Sequence, residues 1–186
     1  MKNFKIQEMN METDKPQIVE WDDKYAGTPE YAGIEKFILE HGLIHGLSEL
    51  IETNYERIPI GDDEIKKSLS IKNDDGQIIG FMIFQIHDIS INKPSMFLQY
   101  IVINPEFQHQ GYGKEILAEI FTNPQKHLGH KPKDVFCYID NENYSSQKLF
   151  MNFGFCLGMQ KGSTLFKATG DMKTIERIMQ TSSMGN

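Results

Sequence analysis

The 186-residue sequence has few cysteines, no long apolar run and no excess of basic side chains. Two cysteines, Cys137 and Cys156, are too few for a disulfide scaffold, and we expect both to be reduced, half-buried side chains. No apolar run approaches the roughly 20 residues that span a bilayer, so no membrane segment is expected. The first residues lack the continuous apolar stretch of a secretory signal, and this predicts a cytoplasmic protein.

The charge balance is acidic, with 26 Asp and Glu against 19 Lys and Arg, a formal net charge of −7. Binding to nucleic acid depends on Lys and Arg that neutralise phosphates, so the balance argues against a nucleic-acid partner. It favours cationic partners such as amines, through a weak bias on encounter. No repeat, low-complexity tract or linker divides the chain, and its length is that of one domain. We therefore expect a single domain over residues 1–186.

The apolar pattern predicts an α/β fold, a mixed and mostly antiparallel sheet with helices on its faces. Residues 30–55 have helical spacing that Gly42 and Gly46 interrupt, so they form either two helices or one broken helix. The further predicted elements are strands at 68–72, 77–89 and 96–103, a helix after Gly113, a loop over 123–134, a strand at 135–139, a helix at 145–153, a strand at 163–168, and a helix or frayed end at 171–180. An Asp-Gly turn joins the first two strands as a hairpin.

A short segment with two glycines, "QHQGYGKEIL", lies between the third strand and the next helix. A helix begins with unpaired N–H groups and the positive end of its dipole, so it attracts anions. Gly111 and Gly113 remove the side chains that would keep a phosphate from those amides. The segment therefore indicates a pyrophosphate-bearing ligand, with a plain tight turn as the alternative. It is not a Walker A loop, since no Gly-Lys-Ser/Thr follows a glycine at the required spacing. It is not a Rossmann fingerprint either, because Ile116 stands where the third glycine belongs.

Two blocks resemble the GNAT superfamily of acetyl-CoA-dependent N-acyltransferases. "LQYIVINPEFQHQGYGKEIL" is similar to the coenzyme-binding segment, in which a strand and a Pro precede Gln/Arg-x-x-Gly-x-Gly/Ala; Gln108, Gly111 and Gly113 match it. "NENYSSQKLFMNFGF" is similar to a second family helix, matched by Asn143, Leu149, Gly154 and Phe155, with Ser146 in the small-residue position. Together the blocks cover about residues 96–155, which would be the coenzyme-binding core.

The resemblance implies a GNAT-like fold and an N-acetyltransferase that uses acetyl-CoA as acetyl donor. The acceptor would be a primary amine of a small molecule or peptide, which attacks the thioester directly. The implied coenzyme site comprises backbone groups of Ile101, Val102 and Ile103 for the pantetheine arm, amides of Gln108, His109, Gln110, Gly111, Tyr112, Gly113 and Lys114 for the pyrophosphate, and Asn143, Ser146 and Phe150.

Two catalytic positions depart from the family pattern. Gln99 stands six residues before the Pro, where many members have a Glu that acts as base, and Phe150 replaces a Tyr that acts as acid. Losing a positioned acid or base costs about 10²–10⁴-fold, so the alternative is a weak or inactive coenzyme-binding module with a regulatory or partner-binding role. If the hairpin is symmetric about Lys93, His87 lies opposite Gln99 and is a candidate base. Otherwise His87 merely lies near a strand end.

The remaining expectations concern metals and partners. His41 and His45 have the spacing of a helical metal pair, but no third ligand is evident and no metal is expected. The acidic stretch from Glu30 to Glu64 favours a cationic amine, because the family's first helices wall the acceptor site. The sequence does not identify the acceptor and leaves the oligomeric state open, with a homodimer as one alternative.

Overall fold

The computed structural model describes residues 2–55, 63–159 and 162–183. The described elements are β1 (Lys5–Glu8), α1 (Asp14–Tyr25), α2 (Ala32–Glu40), α3 (Gly46–Tyr55), β2 (Ile65–Lys72), β3 (Ile78–His87), β4 (Ser95–Ile103), a 3₁₀ turn (Pro105–Phe107), α4 (Tyr112–Thr122), α5 (Pro124–Leu128), β5 (Asp134–Asp140), α6 (Tyr144–Asn152), β6 (Cys156–Met159), β7 (Leu165–Asp171) and α7 (Met172–Ser183). The strands form a seven-stranded sheet of order β1-β2-β3-β4-β5-β7-β6. This mixed α/β architecture confirms the predicted fold class.

The chain divides into two compact units. The first contains β1, α1, α2, α3, β2, the start of β3, the end of β4 and the segment up to Tyr112. Its helices contribute apolar side chains at helical spacing to one core, including Ile18, Trp21, Leu47 and Ile51, each at most 4% exposed. The Trp21 ring lies 6.1 Å from that of Phe81 on β3. Burial of this one face therefore explains why α1 and α3 form.

A buried carboxylate fixes α1 to β2 in the first unit. Asp14 is fully buried and accepts hydrogen bonds from Lys72 Nζ at 2.6 Å and Ser70 Oγ at 2.7 Å. Burial acts to raise the pKa of Asp14, but the hydrogen bonds from Lys72, the Asn10 backbone, Ser70 and Thr13 outweigh it and lower that pKa. The paired charge therefore stabilises the docking of the helix on the strand.

The second unit contains the end of β3, the start of β4, the strands β5, β6 and β7, and the helices from Gly113 onward. On β5, Val135, Cys137 and Ile139 are buried while the residues between them are not, which is the period-2 pattern of a strand with one covered face. Phe121 on α4 lies edge-on to Phe153, with ring centroids 5.4 Å apart. Aromatic packing thus joins α4 to the end of α6.

Several predicted elements need correction. The predicted loop over 123–134 is wrong in part, because α5 forms there; Pro124 sits in its first turn and Gly129 caps it with φ 78°. Residues 30–55 form two helices, and the terminal segment is helical through Ser183. Besides α5, four described elements were not predicted: β1, α1, the 3₁₀ turn and β6. Both cysteines are free, but Cys137 is buried and Cys156 exposed rather than half-buried. The single domain over 1–186 stays a prediction.

Candidate functional site

The turn after β4 is held by the buried side chain of Asn104. The backbone N–H of Asn104 donates to Ile79 O at 3.0 Å. Its side-chain Nδ2 donates to Ile78 O at 3.3 Å, and its Oδ1 accepts from Glu106 N at 3.0 Å. Asn104 thereby anchors the 3₁₀ turn to β3 and directs the chain toward the glycine segment. The sequence reasoning missed this residue, although an Asn-Pro pair favours turn initiation.

Glutamine side chains brace the same segment. Gln108 Nε2 donates to Ile103 O at 2.9 Å, and Gln110 Nε2 donates to Glu106 O at 2.7 Å. These bonds satisfy carbonyls of the strand end and of the turn, so the two glutamines fix the path of the backbone. The role of Gln108 visible in the structure is therefore to shape the loop.

The backbone of the loop turns through the left-handed region twice before α4 begins. His109 has φ 57° and Gly111 has φ 85°, and a Cβ on Gly111 would have no heavy atom within 4 Å. In the described part of the chain, the N–H groups of His109, Gln110 and Gly111 donate no hydrogen bond. These donors immediately precede the start of α4, and backbone N–H groups at the start of a helix attract anions, so the loop can receive an anion.

The pairing of β4 with β5 is short. The two strands run parallel with Ser95–Phe97 in register with Asp134–Phe136. The strand β4 continues to Ile103, and Ile101, Val102 and Ile103 are all half-buried. The backbone of β4 therefore extends past its paired segment, as an extended ligand would need for strand-like pairing.

The second sequence block forms the start of α6. Asn143 is the N-cap, and its side chain accepts from Ser146 N at 3.0 Å. Gln147 Nε2 donates to Asp140 O at 3.1 Å and to Asn141 O at 3.0 Å, which ties the helix to the end of β5. Asn143 and Ser146 are thus brought together by capping, with Asn143 exposed and Ser146 partly exposed.

Phe150 is a core residue of α6. Its side chain is 2% exposed and its ring meets that of Phe155 edge-on, with centroids 5.1 Å apart. A phenyl ring cannot donate a proton, so the position that is often a Tyr in the family provides no acid here.

The side-chain amide of Gln99 ends in a buried oxygen. In the described part of the chain, Gln99 Oε1 has no hydrogen-bond partner. A buried acceptor without a donor costs free energy, about 1–3 kcal/mol, so such an atom is expected to have a partner in the working protein. Gln99 can offer that oxygen to an N–H donor, but it cannot take up a proton.

His87 lies at the end of β3 beside a carboxylate. Its Nδ1 is 3.7 Å from Glu64 Oε2, and the side chain is 32% exposed. The turn after β3 is closed by Lys93 N donating to Asp88 O at 3.3 Å, so its centre is not at Lys93. This bond does not support the register that would set His87 opposite Gln99, and a catalytic His87 stays a prediction.

The acidic residues of the first helices are largely engaged locally. Glu35 accepts from Gly27 N at 2.7 Å, Glu49 from His45 N at 3.1 Å, and Glu52 pairs with Lys15. Hydrogen bonding to Lys15 lowers the pKa of Glu52. These three carboxylates therefore bind backbone N–H groups or form a surface ion pair, while residues 56–62 of the acidic stretch from Glu30 to Glu64 lie outside the described residues.

Among the residues that the structure describes, no group of three or more His, Cys, Asp or Glu side chains is placed to hold a metal ion. None of the helices in the described ranges has the length and apolarity that crossing a bilayer requires.

Comparison with known proteins identifies the family. The acetyltransferase (GNAT) family model matches residues 43–155, more than half of the chain. The chain belongs to the GNAT family of acetyltransferases. This assignment confirms the resemblance and supports an acyltransferase. No curated protein matches the sequence.

Solved structures of other acetyltransferases share the fold at low sequence identity. Spermidine N-acetyltransferase from Vibrio cholerae, in complex with CoA and spermine, has a TM-score of 0.62 at 14% identity, over 94% of this chain and 98% of that one. PaiA N-acetyltransferase from Thermoplasma acidophilum, in complex with coenzyme A, has 0.57 at 22% identity, over 91% and 99%. An acetyltransferase from Thermus thermophilus has 0.63 at 12% identity, over 91% and 97%.

Proposed function

We propose that this GNAT protein is an N-acetyltransferase that transfers the acetyl group of acetyl-CoA to a primary amine of a small molecule or peptide. The observation that carries the proposal is the loop from His109 to Gly111, whose N–H groups donate no hydrogen bond within the described residues and lead into the start of α4. A pyrophosphate is the anion that this array of donors suits, because Gly111 leaves the space above them open.

The residues present fit coenzyme A. Amides from His109 to Lys114 would hold the pyrophosphate, and the backbone of Ile101–Ile103 would pair with the pantetheine arm as an added strand would. Acetyl-CoA supplies an acetyl thioester, whose thiolate is a good leaving group. A backbone N–H of this part of β4 would stabilise the developing oxyanion.

Gln99 would orient the acceptor. Its free Oε1 can accept a hydrogen bond from the amine and so hold the nitrogen lone pair toward the thioester. Since an amide takes no proton, the amine would lose its proton to water or to another group. The protein would then be most active toward amines that are already partly neutral at the working pH.

The acceptor class is proposed to be a cationic amine. The net charge of −7 supports this choice, as does the spermine complex of the Vibrio cholerae enzyme. The local engagement of Glu35, Glu49 and Glu52 weakens the argument from the helices alone.

A second candidate function is a coenzyme-binding module without catalysis. Gln99, which cannot act as a base, and Phe150, which is buried against Phe155, favour it. Two measurements separate the alternatives. Calorimetry should show binding of acetyl-CoA in either case, and release of the CoA thiol over a panel of polyamines, aminoglycosides, amino acids and peptides should occur only with the enzyme. No binding of acetyl-CoA would refute both.

A further inference from the structure

One face of the sheet in the second unit is open and carries large aromatic side chains. Opposed residues across neighbouring strands share a face, and one row across four strands consists of Phe97, Phe136, Thr169 and Cys156. We call the face that contains this row the open face. On the opposite face of β5 and β7, Val135, Cys137, Ile139, Ala168 and Gly170 are buried.

Aromatic rings form the centre of the open face. The rings of Phe97 and Phe136 stack with centroids 4.8 Å apart and an interplanar angle of 5°. Tyr138 meets Phe97 edge-on at 5.8 Å and is 45% exposed. Such a contiguous outward aromatic surface is uncommon on a monomer unless something covers it.

The charges on the open face are separated along the strands. Asp134 lies directly opposite Asp171 at one end, and Lys167 lies opposite Tyr138 at the other. Two carboxylates directly opposed on a sheet repel each other. Asp134 accepts a hydrogen bond from Ser95 Oγ, and Asp171 caps α7 through Thr174. Within the described ranges, neither carboxylate has a cation at ion-pair distance.

Lys167 is the complementary charge. Its Nζ lies 4.9 Å from the ring centroid of Phe136 and, in the described part of the chain, has no carboxylate within ion-pair distance. Asp171 is the fourth residue after Lys167 along β7, and this spacing corresponds to about 13 Å at roughly 3.3 Å per residue. The open face therefore has a negative end, an aromatic middle and a positive end.

We propose that the open face packs on the open face of a second copy of this chain, about a two-fold axis that runs along the row of Phe97, Phe136, Thr169 and Cys156. A two-fold interface must be self-complementary: if one residue meets a second residue of the other copy, the second residue of the first copy also meets the first residue of the other. An axis along the row reverses the strand direction, so Lys167 meets Asp171 of the second copy and Tyr138 meets Asp134.

This arrangement accounts for the opposed carboxylates, the exposed rings and Lys167 together. The two carboxylates receive a cation and a phenol O–H, the stacked rings are covered, and the packed sheets lie about 10 Å apart. Cys156 lies on the axis, so it faces Cys156 of the second copy. A small amine acceptor would account for neither the carboxylate pair nor its distance from Lys167.

Charge exchange tests the interface. Sedimentation velocity of the full chain should show a dimer, and Lys167→Asp or Asp171→Lys should each raise its dissociation constant at least tenfold. An equimolar mixture of the two variants should restore the dimer, because both contacts then join opposite charges. Since Asp171→Lys removes the α7 cap, Tyr138→Asp is a second variant: it would set a carboxylate against Asp134 of the second copy and should weaken the dimer without altering the cap. Tyr144→Asp, at a 73% exposed site on α6, should leave the dimer intact.

The native thiol gives an independent readout. A short bifunctional maleimide should cross-link two wild-type chains through Cys156, with Cys156→Ser as the blank and Lys167→Asp as the control for random collisions. A chain that is monomeric at all concentrations would overturn the proposal. A dimer whose dissociation constant changes in neither charge variant and which does not cross-link would also overturn it, because such a dimer uses another surface. Protection of Cys156 by an amine acceptor in a monomer would overturn it as well, because the open face would then bind the acceptor.

Discussion

Alanine substitutions at the two glycines of the loop should have opposite effects on stability and the same effect on coenzyme affinity. Gly111 has φ 85°, and an L-residue in the left-handed region costs about 1–2 kcal/mol. Gly113 lies within α4, where replacing Gly by Ala gains about 0.5–1 kcal/mol. For a chain of this size, 1 kcal/mol moves Tm by roughly 2–4 °C. Gly111→Ala should therefore melt a few degrees lower and Gly113→Ala slightly higher.

Both variants should bind acetyl-CoA at least tenfold more weakly, because each new Cβ stands where phosphate would approach the amides. Calorimetric titration with acetyl-CoA and thermal melts on the same samples measure the two effects. Gly76→Ala is the matched control: Gly76 has φ 80° in the β2–β3 hairpin and no heavy atom within 4 Å of a Cβ. It should lose similar stability and no affinity. Unchanged affinity in a folded Gly113→Ala protein would refute the phosphate-binding role of the loop.

Three further predictions concern other residues. Asp14→Asn should destabilise the protein by about 2 kcal/mol at neutral pH in urea titrations. Since the pKa of Asp14 is lowered in the fold, that loss of stability should shrink as pH falls below about 4. A loss that is the same at every pH would contradict the prediction. One thiol should react with maleimide in the native protein and two after unfolding, because burial raises the pKa of Cys137 to about 12 while Cys156 is exposed; two fast native reactions would contradict it. Gln99→Glu should raise the acetylation rate and make the rate rise with pH around the pKa of the new carboxylate. Gln99→Ala is the control, because it removes the hydrogen-bonding oxygen. Equal rates in the wild-type protein and both variants would exclude a role for this position.

The sequence predicted the elements whose signals are local. The Asp-Gly hairpin turn, the helix after Gly111 and the helix ended by Gly154 (φ 85°) each depend on a few adjacent residues. The helix α1 was missed because its apolar positions are interspersed with charges, and Asp14, a residue typical of helix caps, is stabilised by partners on β2, 56 and 58 residues away. Such long-range pairing leaves no local trace.

The candidate site likewise has features that adjacent residues predict and features that depend on long-range contacts. Gln108, Gly111 and Gly113 could be proposed from the sequence because a phosphate-binding loop is contiguous and has a recognisable spacing, and their role stays a prediction. The facing of His87 depends on the register between two strands, and a shift by a single residue turns a side chain to the other face. The bracing by Asn104 likewise depends on carbonyls of Ile78 and Ile79 that no sequence pattern specifies.

Gln99 and Phe150 change the chemistry expected of the site but leave the proposed coenzyme binding unaffected. Coenzyme binding depends on backbone amides and on the absence of side chains, which neither substitution alters. Proton transfer depends on side chains, and both positions here hold groups that exchange no proton. The buried Oε1 of Gln99 nevertheless retains what a glutamate would also provide, an acceptor for the N–H of an amine. The proposed function would thus separate positioning from proton removal, which one carboxylate can perform together, and would leave only positioning to the residue on β4.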